Sequence, residues 1–152
     1  MRHWLPLLAA TLLLAACTSP PGGAPPAAPA GPPTLPATIR GSQETSTLLD
    51  HFTAFVSAVD GETVNASRQE WDAPVSLAPG RRVLAVEFVR GAFFARTELT
   101  LDARPGAAYE LRHASDAQVY GAHTFCEFWI VDLATGGTVV PPKRVPLGKI
   151  KP

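Results

Sequence analysis

The sequence is poor in sulfur: it holds one methionine and two cysteines, Cys17 and Cys126, set far apart. A small domain stapled by several disulfides is therefore excluded. An excess of charge of one sign is also missing, since Lys plus Arg number 13 and Asp plus Glu number 13. No net field recruits a polyanion, and nucleic-acid binding drops out with it. Long apolar runs are lacking as well. The longest, at residues 4–14, falls well short of the roughly 20 residues that a membrane-crossing helix needs. A phosphate-cradling glycine loop, His-Glu-x-x-His, Cys-x-x-Cys and Gly-x-Ser-x-Gly are all absent, so no familiar catalytic motif marks the chain as an enzyme. No convincing amphipathic helix is found along the chain.

What is present begins at the amino terminus. Met1-Arg2-His3 is basic, residues 4–14 are apolar, and small residues close the segment, the layout of a secretory signal. Leu14-Ala15-Ala16-Cys17 follows, and then Thr18, Ser19 and Pro20, through which no buried helix continues. These four residues resemble the lipobox of bacterial lipoproteins. The resemblance implies cleavage before Cys17, a diacylglycerol thioether on its sulfur and an acyl group on the new amine. No other cofactor is expected. Each buried CH₂ adds about 0.8 kcal/mol to membrane attachment, so several chains hold firmly where one does not. The mature protein is thus expected to be anchored to a membrane rather than to span it. Thr18 stands where the family's inner-membrane retention signal has Asp, which points to the outer membrane of the cell envelope.

The division expected from the sequence is a signal peptide at 1–16, the lipidated Cys17 and a linker to 36, a folded domain at 37–142, and a basic tail at 143–152. Eight of the 16 prolines fall within residues 19–36. Such a segment buries too little apolar surface to fold and favours extended polyproline II conformation, which makes it a spacer. Lys143, Arg144, Lys149 and Lys151 sit among prolines in the tail, which reads as a solvated end.

Between linker and tail, short apolar runs alternate with turn signals. Strands are expected at 37–40, 52–59, 62–65, 74–77, 82–89, 93–102, 107–113, 125–131 and 138–140. Phe52, Ala54, Val56 and Ala58 share one face of the second. Asp60-Gly61 is a two-residue hairpin signal, and Pro79-Gly80 suits a tight turn. Residues 82–89 are apolar on both faces except Arg82 and Glu87, as in a central strand, whereas 93–102 alternate, with Phe94 in the polar row. Pro141-Pro142 is expected to end regular pairing. Seven to nine short strands without a helix predict an all-β fold, an antiparallel β-sandwich of immunoglobulin-like architecture or an open barrel.

Val59-Asp60-Gly61, Leu77, Pro79-Gly80-Arg81 and the run Leu84, Val86, Phe88 resemble the small β-sandwich repeats of bacterial envelope proteins called PEGA domains. The similarity covers residues 55–90. Ala78-Pro79-Gly80-Arg81 takes the place of the tetrad that names the family. The resemblance implies a sandwich and an envelope setting, and carries no catalytic residues.

Candidate site residues are few. Cys126 shares a strand face with Phe128 and Ile130 and reads as a small buried hydrophobe. Trp129 and Glu127 fall on the opposite face by parity. A Trp in a sandwich strand more often fills the core, and Phe125 and Val131 beside it fit the second half of a two-sided core; an exposed indole there can instead stack on a sugar ring or anchor a protein partner. Trp71, between Glu70 and Asp72 in a polar loop, is a further contact candidate. His113, Asp116 and His123 bracket one loop and form the best titratable grouping. The plainer reading is a polar loop with His113 ending a strand; two imidazoles and a carboxylate can also hold zinc with an open position, or serve a small hydrolase as acid and base. The leading expectation is a non-enzymatic, membrane-anchored envelope lipoprotein with a binding or scaffolding domain.

Overall fold

The computed structural model describes residues 35–45, 51–64, 67–117 and 123–149. The signal segment, Cys17, most of the linker, residues 46–50 and Asn65 lie outside the described residues.

The fold is all-β, with eleven strands and no helix among the described residues: β1 (Ala37–Arg40), β2 (Ser42–Glu44), β3 (Phe52–Val59), β4 (Glu62–Thr63), β5 (Val75–Leu77), β6 (Gly80–Arg90), β7 (Phe93–Ala103), β8 (Ala108–Ser115), β9 (Phe125–Asp132), β10 (Thr138–Pro146) and β11 (Gly148–Lys149). They form a β-sandwich. One sheet has the order β10-β9-β8-β1-β5, the other β11-β7-β6-β3-β2 with β4 beside β3. Pairing is antiparallel apart from β1 against β8.

Two extended stretches change sheets and close the flanks. β1 lies in the first sheet and β2 in the second, with Gly41 as the corner between them. The Gly41 N–H donates to the Trp71 carbonyl at 2.7 Å. On the other flank the chain leaves β10, passes Leu147 and joins β7 as β11. Strands that switch sheets are a common way to build a sandwich corner.

The inward residues of both sheets make one continuous core. Leu84, Val86 and Phe88 of β6 meet Leu111, Phe128 and Ile130 of the facing sheet, all at 0% exposure. Burying a side chain of this size stabilises the fold by about 1.5–3 kcal/mol. The hairpin at Asp60-Gly61 forms as the sequence predicts, with φ of 51° and 85°. Asp60 also accepts the Val83 N–H at 2.9 Å and an Arg82 N–H at 2.8 Å, and this hydrogen bonding, the backbone bond first, holds its carboxyl below the usual range.

Three expectations are corrected. A β-bulge between Val56 and Ala58 inverts the parity of β3, so Val59 rather than Ala58 pairs with Leu84 and packs on the core. Thr53 and Phe55, on the face opposite Phe52 and Ala54, are buried too. Pro141-Pro142 does not end pairing. The register against β9 shifts between Val140 and Lys143, a bulge that absorbs the prolines where no ladder N–H is needed. Of the basic segment after them, residues 143–146 and 148–149 lie in strands, with Lys143 Nζ donating to the Glu98 carbonyl at 3.0 Å. Ser42–Glu44 and Gly148–Lys149 are the strands the sequence did not announce.

Candidate ligand-binding face

Strict alternation in β9 decides which side chains face the solvent. Cys126, Phe128, Ile130 and Asp132 are buried, while Phe125, Glu127, Trp129 and Val131 are half-buried on the outer face of the first sheet. Trp129 is therefore on the outer side, as parity predicts, and takes no part in the core cluster. Its cross-strand partner is Arg112. These two side chains line an open depression of about 490 Å³ together with Val131, Leu133, Gly136 and Thr138.

The floor and rim of this depression are held in place by buried polar groups. Asp132, at 1% exposure, accepts the N–H groups of Ala134 and Thr135 at 2.9 and 3.0 Å and binds the Arg104 side chain. The Thr135 N–H, with Arg104 adding to it, keeps the Asp132 carboxyl below its usual range. Asp132 thereby fixes the turn that carries Leu133, which is 40% exposed. The neighbouring turn is tied by Tyr109, whose buried hydroxyl accepts the Arg104 N–H at 2.9 Å.

Charge beside the indole is positive. Glu110, on the outer face but only 7% exposed, is shared by Arg40 at 2.7 Å and by Arg112. One carboxylate between two guanidiniums leaves a surplus cation next to Trp129. Glu127 does not reach into the depression. Its Oε1 accepts Arg144 Nε at 2.7 Å, and the Arg144 guanidinium lies 4.0 Å over the Phe125 ring. Trp71 lies elsewhere, half-buried in the turn that follows Ser67, with its carbonyl committed to Gly41.

The His113, Asp116 and His123 grouping is dispersed among separate structural tasks. His113 faces inward, 5.3 Å from the Phe88 ring centroid, with Nδ1 3.1 Å from the Ser42 hydroxyl. Burial, with Arg112 adding to it, pushes its pKa down to about 4. Asp116 accepts the N–H groups of Thr124 and Phe125 and the Thr124 hydroxyl. Burial works against its charge, but these bonds still hold the carboxyl below its usual range. His123 stacks on Phe93 at 4.3 Å. The depression at His113 is lined by Ser42, Gln43, Glu44 and Arg112, not by Asp116 or His123. Among the described residues, no group of three His, Cys, Asp or Glu side chains is placed to hold a metal ion. Cys126 is buried and free, and burial raises its thiol to about 12, which leaves it inert as a nucleophile.

Arg112 and Leu133 line the Trp129 depression and were not singled out by sequence reasoning. The signal for Arg112 was its outward parity with Glu110 on β8, but its pairing opposite Trp129 depends on a register that no local pattern carries. The chain as a whole was also set against protein-family models, curated proteins and solved structures, and none of them matches it.

Proposed function

We propose that this chain is a non-enzymatic lipoprotein of the bacterial cell envelope, held at the outer membrane by lipid on Cys17, whose sandwich binds an envelope glycan on the Trp129 face. The lipobox-like residues Leu14-Ala15-Ala16-Cys17 support the anchor, and the proline-rich stretch supplies the spacer. The observation that carries the binding reading is the position of Trp129: outside the core, in a depression, with Arg112 across from it. A half-exposed indole gives a flat apolar face for a sugar ring, and the guanidinium supplies donors for hydroxyl or carboxylate oxygens.

The test is intrinsic fluorescence of the purified protein titrated with peptidoglycan and lipopolysaccharide fragments. Saturable quenching is expected with one of them. Trp129→Ala is expected to keep the melting temperature within a few degrees and to weaken binding by about 2 kcal/mol, roughly thirty-fold. Fluorescence indifferent to both fragments would remove the glycan reading. An envelope protein is the alternative occupant of the same face, and crosslinking from position 129 distinguishes it.

A further inference from the structure

Three buried side-chain nitrogens among the described residues have no hydrogen-bond partner: Arg90 Nη1, His113 Nε2 and His123 Nδ1. The residues that carry them are linked through one run of aromatic side chains, Phe52, Phe88 and Phe93. Arg90 continues the inward row of Leu84, Val86 and Phe88 on β6, is 5% exposed, and lies with its guanidinium 3.7 Å over the Phe52 ring. Its cross-strand neighbour is Phe93, on which His123 stacks. His113 packs on Phe88, one inward position before Arg90. Lys149 adds a second cation 5.8 Å from the Phe93 ring centroid. No described carboxylate pairs with Arg90, and Asp116 on the loop beside His123 is turned toward Thr124 and Phe125.

A buried guanidinium with no counter-charge among the described residues is costly, and an unsatisfied buried donor in a native fold calls for a partner such as a bound ion. We infer that this group of side chains is an oxyanion site, in which Arg90 holds a carboxylate or phosphate group between the Phe52 and Phe93 rings. The planar guanidinium offers paired N–H donors that match either group. In the tautomer in which the Ser42 hydroxyl, 3.1 Å away, donates to Nδ1, the His113 Nε2 bears the hydrogen and is a further donor beside the site. The site is separate from the Trp129 face, which lies on the outside of the first sheet.

The test is thermal unfolding of the full-length protein in chloride, acetate and inorganic phosphate at equal ionic strength, alongside Arg90→Met. Methionine keeps the length and removes the charge, so the variant is expected to fold with an equal or higher melting temperature. Acetate or phosphate is expected to raise the wild-type melting temperature saturably by several degrees and to leave Arg90→Met unmoved. A short-chain phosphatidic acid separates the sources of the anion. An Arg90-dependent affinity at least ten-fold tighter than for phosphate assigns a lipid headgroup, and an equal affinity assigns a free anion. Wild-type melting identical in the three salts, or the same rise in Arg90→Met, would overturn the inference.

Discussion

Replacing Gly41 by alanine is expected to destabilise the domain by about 3 kcal/mol or more, a fall in melting temperature of roughly 12 °C. A Cβ at this position would lie 2.1 Å from the Ala54 carbonyl oxygen and 2.6 Å from that of Trp71. Neither atom is the end of a flexible side chain that can swing aside. Ala54 is in the ladder opposite Ser42, and the Trp71 carbonyl accepts the Gly41 N–H itself. Relief therefore requires β2 to leave β3, or the Trp71 turn to leave the corner. Gly61→Ala is the control. Gly61 has φ of 85° with nothing within 4 Å of its added Cβ, so only backbone strain of about 1 kcal/mol is expected there. Equal losses at the two positions in chemical denaturation would contradict the close-packed corner.

Acidification from pH 6.5 to 4 is expected to remove up to about 3 kcal/mol of stability through His113 alone. Its pKa falls from an ordinary 6.5 to about 4 because the ring is buried and Arg112 is near. Between those values the unfolded chain takes a proton on His113 and the folded chain does not. The contribution is complete above pH 6.5 and is lost as pH falls through the window. Asp60, Asp116 and Asp132 have lowered carboxyl pKa values, so their contributions are lost only at lower pH. His113→Gln is expected to flatten the urea-midpoint profile between pH 6.5 and 4, and Arg112→Gln to make the fall smaller and end it at a higher pH, with its onset unchanged. A profile of unchanged slope in His113→Gln would contradict the assignment.

The parts of the fold legible in the sequence were those governed by local physics. Alternation placed β7 and β9 and put Trp129 on the outer face. Asp60-Gly61 announced its hairpin because two positive φ values demand such residues. Non-local features were not legible. The corner at Gly41 looks like the end of a strand, and only its contact with Ala54 and Trp71 reveals a switch of sheets. The bulges in β3 and β10 likewise arise from pairing with a distant partner. Proximity in sequence could not decide whether His113, Asp116 and His123 converge, because inward parity turns the first imidazole toward Phe88 while Asp116 is used to close the loop. Arg90 was readable in principle. It keeps the inward parity of Leu84, Val86 and Phe88, and a charge at a core position is the signal to follow.

The proposed lipid anchor would decide where the sandwich works, and incorporation of a radiolabelled fatty acid in a bacterial host tests it most directly. The wild-type chain is expected to carry label and to fractionate with the outer membrane, and Cys17→Ala to carry none and to enter the soluble fraction. Wild-type protein recovered from aqueous extract with an unacylated amino terminus, or label retained in Cys17→Ala, would contradict the account.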